Sequence, residues 1–201
     1  MAVATFDLLA DLPLEVDGYA LEGLQSELAA GFVRTTTVIH LHGGGEQGVG
    51  EDVVYDAEDH AALQGAGPVQ PLSGHWTLGE FCDLIGSLDL FGVEPKRDVS
   101  RLYRRWAFDS AALDLALRQA GIPLHQALGR DPAPMTYVCS LRLGEPPTLE
   151  PVSLRLGLDP TLRFKLDATS SWTSALIGQL VATGSVDSID FKALYRGTIV
   201  D

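Results

Sequence analysis

Cysteine and basic residues are scarce in this sequence, and it has no long apolar run. The two cysteines, Cys82 and Cys139, are far apart and lack C-x-x-C spacing. That argues against a disulfide framework and for buried free thiols in a reducing compartment. Lysine and arginine number 14 against 27 aspartates and glutamates, a formal charge of −13. Phosphate backbones and anionic membrane surfaces repel such a chain, so neither nucleic acid nor membrane is an expected partner. No segment reaches the roughly 18 uninterrupted apolar residues that span a bilayer. The first residues lack a basic stretch followed by an apolar one, so a cytoplasmic protein is expected. What is abundant is carboxylate, the natural ligand of hard divalent cations. With 46% hydrophobic and 20% charged residues, the balance is that of a globular protein with a sizeable core.

Periodicity divides the chain. Residues 5–20 read as a first strand region, and 21–31 as a helical turn or a mobile connection. Val33 to His42 is rich in β-branched residues and reads as a strand. Gly43 to Gly48 then turns the chain, and Val49 to Tyr55 returns as a partner strand. From Thr77 the period changes from 2 to 3.6. Thr77 can cap a helix with Glu80 three residues on and Phe81, Leu84, Ile85 and Leu88 in a stripe. A second helix runs from about Val99 to Ala120, its alanines allowing close approach to a neighbour, and Gly121 and Pro123 end it. A short helix fits residues 123–129. Beyond Pro134 the pattern is a buried strand (Met135 to Leu143), a helix (Thr148 to Leu156), a strand (Leu162 to Asp167), a helix with Leu176, Ile177 and Leu180 inward (Thr173 to Thr183), and a strand (Val186 to Phe191). Strands alternating with helices indicate parallel βα units. The expected division is therefore residues 1–132, an α+β front part, and 133–201, the start of a βα array.

Candidate chemistry lies at two places. Lys165 and Asp167 stand two apart on a strand and share a face, and Asp190 and Lys192 repeat the arrangement one strand later. In a parallel barrel these strand ends meet at one mouth. Asp167 and Asp190 are there candidate Mg²⁺ ligands, and Lys165 and Lys192 candidate bases. Separately, His40, His42 and Glu46 offer a transition-metal set on a hairpin, against the simpler reading of two solvent-facing histidines. Asp109 and Asp114 suit ion pairs with Arg105 and Arg118. Arg101, Arg104, Arg105, Asp98 and Asp109 read as a solvated helix face. The glycines from 43 to 50 join two strands and precede no Lys-Ser or Lys-Thr, so they are a turn and not a phosphate loop.

The order of several weak motifs resembles the enolase superfamily, in its mandelate racemase and muconate lactonizing branch. Val49-Gly50-Glu51-Asp52 resembles that family's G-x-GE strand. Arg105 to Ala116 resembles its A-x-D-x-A helix, and Gly121-Ile122-Pro123-Leu124 through Leu128-Gly129 its G-x-P-L…LG passage. Asp167-Ala168-Thr169-Ser170-Ser171-Trp172-Thr173 resembles D-A-N-x-x-W-T on the third barrel strand, whose aspartate binds Mg²⁺. The resemblance implies an α+β capping domain followed by a (β/α) TIM-type barrel. It also implies Mg²⁺-assisted abstraction of a proton α to the carboxylate of a small substrate, by a racemase, epimerase, cycloisomerase or dehydratase. Asp167 takes the first metal position and Asp190 the next. In a second alignment, Leu162 to Asp167 is instead the second barrel strand, with Lys165 at the first position of the family's K-x-K and Asp167 at the other. Thr169 replaces the family's asparagine. Only 67 residues follow Pro134, whereas a whole barrel takes about 250. The expectation is an incomplete barrel, inactive alone, that belongs to a longer enzyme or is completed by another chain or an oligomer; the alternative is a non-catalytic fragment that acts only through association with another chain.

Overall fold

The computed structural model describes residues 4–27 and 33–191, and the chain divides into two units, Met1–Pro132 and Ala133–Asp201. The first opens with a 3-10 turn at Phe6–Leu8 and strand β1 (Pro13–Val16). Strands β2 (Gly18–Glu27), β3 (Val33–Gly43) and β4 (Glu46–Asp52) follow, then helix α1 (Ala57–Ala66), strand β5 (Gly74–Thr77), and helices α2 (Leu78–Ser87), α3 (Ser100–Ala120) and α4 (Leu124–Ala127). β2, β3 and β4 form an antiparallel meander, and β5 returns to pair antiparallel with β1.

Two adjacent glycines make the β3–β4 hairpin. Gly44 and Gly45 take φ of 56° and 80°, the left-handed pair that matches the twist of the flanking strands. The stretch 21–27 is not a helical turn. It continues β2, paired from Leu21↔Ile39 to Glu27↔Val33. Its polar side chains face water, which hides the period-2 signal. Helix α1 and strand β5 were also not evident in the sequence pattern.

Thr77 caps α2 as its spacing requires. Its hydroxyl accepts from the Glu80 amide at 3.2 Å, while the Glu80 carboxylate accepts from the Thr77 amide at 2.8 Å, a reciprocal capping box. Phe81 and Ile85 are buried in the core. Helix α3 ends at Gly121 in the left-handed region with φ 66°.

The core of this unit is α3 laid on β4. Ala107, Ala111, Ala112, Leu115 and Ala116 are buried against Leu14, Ile39, Leu41 and Phe81. Gly48 and Gly50 alternate with outward residues along β4 and present bare backbone to the helix. A Cβ on Gly50 would lie 2.0 Å from the Ala107 carbonyl oxygen, and one on Gly48 2.2 Å from that of Ala111. The alanines of α3 and the glycines of β4 are one packing solution, in which strand and helix backbones nearly touch.

Arg104 is not on a solvated face. Its side chain and that of Asp52 are both 0% exposed, with Arg104 Nε 2.8 Å from Asp52 Oδ2. The guanidinium also donates to the carbonyls of Leu90 (3.2 Å) and Asp59 (2.8 Å) and lies 3.7 Å from the Phe91 ring centroid. Asp52 Oδ1 accepts from the Val54 amide. Nearby, buried His60 is held between the Thr37 hydroxyl and the Val54 carbonyl, each 2.9 Å away. Four further charges on α3 pair along the helix, Arg105 with Asp109 at 3.4 Å and Arg118 with Asp114 at 3.0 Å, while Arg101 reaches off it to Glu94 at 2.9 Å and Asp89 at 3.5 Å.

The second unit contains β6 (Val138–Leu141), α5 (Glu150–Leu158), β7 (Arg163–Ala168), α6 (Ser174–Thr183) and β8 (Val186–Phe191). The strands are parallel in the order β6-β7-β8. Phe164 and Leu166 are buried with Val152 of α5 and Leu176 and Leu180 of α6, so the helices cover one face of the sheet. Met135 and Tyr137 are exposed and precede the strand, which is shorter than its apolar run suggests, and Ile177 is 47% exposed instead of inward. Among the described residues there is no closed barrel, and no helix is long and apolar enough to cross a membrane.

Candidate functional site

Alternation along β7 sends Phe164 and Leu166 under the helices and Lys165 and Asp167 to the opposite face. The parallel register then sets Lys165 beside Ser188 and Asp167 beside Asp190, so both aspartates lie on one face at the carboxyl ends of neighbouring strands. Lys165 Nζ bridges them, 3.0 Å from Asp167 Oδ1 and 2.7 Å from Asp190 Oδ2. Arg142, one residue past β6, approaches the other side of Asp167, with Nε 3.3 Å from Oδ2. Three strand ends thus contribute to one charged cluster. The aspartate side chains are 13% and 24% exposed and Arg142 is 76% exposed.

Hydrogen bonding first to Asp190 and then to Asp167 raises the Lys165 pKa above the ordinary lysine value. In this arrangement the side chain is therefore held as an ammonium. The sequence brings forward Lys165, Asp167 and Asp190 correctly as neighbours but gives no sign of Arg142, whose role depends on where β6 ends. Lys192 lies outside the described residues. Pairing also decides where β7 stands: it lies directly beside β6, joined to it through α5, so it is the second of the three described strands and not a third. The linker after β6 is too short to hold another strand.

The chemistry of the donors suits Mg²⁺. Two carboxylate oxygens side by side on a rigid sheet are what a hard divalent cation takes. Among the described residues no group of three or more His, Cys, Asp or Glu is placed to hold a metal ion, so Asp167 and Asp190 are at most part of a coordination sphere.

The hairpin set does not assemble. His40 Nε2 lies 2.9 Å from Glu22 Oε2, and its other ring nitrogen meets Gln47. His42 stands opposite Gln47 and Glu46 opposite Gly43 at the turn. His40 is thus engaged by a carboxylate and an amide, in place of a shared metal with His42 and Glu46.

A cleft of about 460 Å³ in the first unit is lined by Cys82, Asp83, Arg105, Trp106, Asp109 and Ser110 among apolar residues. Burial, followed by the neighbouring Asp109 carboxylate, pushes the Cys82 thiol up to about 12. Burial likewise raises the Asp109 pKa. A thiol so far from ionisation is no nucleophile at neutral pH, so this cleft carries no evident chemistry.

In fold the chain is similar to solved members of the enolase superfamily. Muconate lactonizing enzyme from Pseudomonas putida superposes with a TM-score of 0.56 at 16% identity, over 87% of this chain and 51% of its own. A member of the enolase superfamily from Listeria innocua gives 0.56 at 12% identity, over 91% and 53%. A probable mandelate racemase from Alicyclobacillus acidocaldarius gives 0.55 at 17%, over 90% and 53%. The chain thus spans about half the length of these structures. No curated protein sequence matches it. The chain belongs to the family described as domain of unknown function (DUF8230), its N-terminal domain matching residues 7–127 and its C-terminal domain residues 131–201.

Proposed function

We propose that this chain provides the capping part and the first three barrel strands of an acid–base enzyme that moves a proton α to the carboxylate of a small substrate. The observation that carries the reading is the Lys165 bridge between Asp167 and Asp190 at the carboxyl ends of parallel strands, where barrel enzymes keep their chemistry. The place of β7 as second strand favours the alignment in which Lys165 takes the first lysine position of the resembled family. Asp190, on the third strand, then takes its first metal position, and Asp167 becomes the residue that orients the lysine. β6, β7 and β8 are on this reading the opening strands of a barrel that further strands complete.

Each residue has a distinct task. Asp167 fixes Nζ of Lys165 over the sheet face, removing the rotamer freedom of a long side chain before substrate arrives. As an ammonium, Nζ delivers a proton; as a neutral amine it takes one up. Asp190 is the residue here that would hold Mg²⁺. A cation bound there supplies neutralisation of the charge that builds on a substrate carboxylate as its α proton leaves. Arg142 stands at the rim, where its exposed guanidinium suits a second anionic group of the substrate.

Paramagnetic broadening by Mn²⁺ tests the cation position. Amide resonances at the ends of β7 and β8 are expected to broaden first, and Asp190→Asn is expected to remove that broadening. Broadening that starts elsewhere and ignores Asp190→Asn would dismiss the assignment.

A further inference from the structure

Lys165 stands where a divalent cation shared by the two aspartates would have to stand. Its ammonium is within 3.0 Å of Asp167 and 2.7 Å of Asp190, and the register fixes these carboxylates as lateral neighbours. Arg142 pairs with the far oxygen of Asp167 at 3.3 Å. Among the described residues, two basic side chains, Lys165 and Arg142, already pair with these carboxylates. A doubly charged ion entering it meets a like charge already seated between the oxygens it needs, and at contact distances that repulsion is substantial even with partial solvent screening.

We propose that cation loading at this site is an exchange: the divalent ion takes the Asp190 carboxylate away from Lys165, and the amine remains held by Asp167 alone. This rests on the reading of Asp190 as a cation ligand. Its consequence is that the two halves of the chemistry are coupled. Without the ion, Lys165 is tied to both strands and withheld from a substrate. With it, the lysine keeps one tether, that of its own strand, and gains the freedom to reach outward from the sheet. The lysine is then both the proton carrier and the occupant that any entering cation must displace, a use of one charge against another that raises specificity.

The measurement is Mn²⁺ affinity of the full 201-residue chain, read from the electron paramagnetic resonance signal of the free ion at constant ionic strength. Lys165→Gln is expected to bind at least about tenfold more tightly than the unaltered chain, since one opposing charge is removed at contact distance. Lys165→Arg, which keeps the charge, is expected to bind as weakly as the unaltered chain. Lys165→Gln combined with Asp190→Asn is expected to lose the gain. Lys165→Met, which keeps the alkyl stem, replaces Lys165→Gln if the latter does not fold. Equal affinity in the unaltered chain and in Lys165→Gln overturns the exchange while leaving the cation site standing. Binding by none of these proteins at millimolar Mn²⁺ overturns the site and the exchange together.

Discussion

Arg104→Met is expected to cost the protein about 3–5 kcal/mol, the usual loss when one partner of a fully buried ion pair is removed. The substitution strips Asp52 of its ion-pair partner in a place that water does not reach. It also leaves the Leu90 and Asp59 carbonyls without the donors that Arg104 supplies. The methionine keeps much of the volume over Phe91, so the loss reports charge and hydrogen bonding more than a cavity. Since whole domains are stable by only about 5–15 kcal/mol, much of the first unit's margin would vanish. Urea denaturation checks it, with an unchanged slope and a lowered midpoint. Arg104→Met combined with Asp52→Leu is expected to lose less than Arg104→Met alone, because no uncompensated charge is then buried. A loss below about 1 kcal/mol for Arg104→Met would mean that water reaches the pair.

Gly50→Ala is expected to be comparably damaging, at about 3 kcal/mol or more, the upper end of what overpacking costs. The new methyl group would sit 2.0 Å from the Ala107 carbonyl oxygen and 2.8 Å from the Ala111 amide nitrogen. Both belong to helix backbone, which cannot swing aside as a side chain does. Either α3 lifts from β4 along its length, opening the contact that Ala111 and Leu115 complete, or β4 leaves its register with β3. Gly45→Ala serves as the contrast. That residue has open space around its Cβ position and carries only the strain of a positive φ, so a smaller loss is expected. Thermal melting of the two variants side by side decides the matter, and equal small losses would show that α3 and β4 are not in backbone contact.

Both predictions concern features that the sequence partly concealed. The alanines of α3 read correctly as an invitation to close approach, but the partner surface did not: Gly48 and Gly50 look like the tail of a glycine-rich turn. Arg104 was hidden by its company, since Arg101 and Arg105 flank it on a helix rich in charge. The signal was nonetheless present. Position 104 lies three, four, seven and eleven residues before Ala107, Phe108, Ala111 and Leu115, on the stripe that is buried. A charge in that stripe needs a buried partner, and Asp52 lies at the end of the strand the stripe covers. Residues 21–27 of β2 are concealed for the opposite cause, since Glu22, Gln25, Ser26 and Glu27 leave no alternation to detect.

The charged cluster was the more legible part. Alternation alone placed Lys165 and Asp167 on one face, and the spacing of strands brought Asp190 to them. What spacing does not carry is the order of strands. The Trp172-Thr173 match favours a third strand, whereas hydrogen bonding makes β7 the immediate neighbour of β6. That shifts the proposed metal position from Asp167 to Asp190 and gives Asp167 to the lysine.

The most direct test of the proposal is isotope exchange at carbon. A protein that contains this chain together with further barrel strands, supplied with Mg²⁺ in D₂O and a panel of α-substituted carboxylic acids, is expected to place deuterium at the α position of one of them. Lys165→Ala is expected to slow that exchange by about 10²–10⁴-fold, the usual contribution of a positioned acid–base group. Exchange that continues undiminished in Lys165→Ala would contradict the assignment of proton transfer to this lysine.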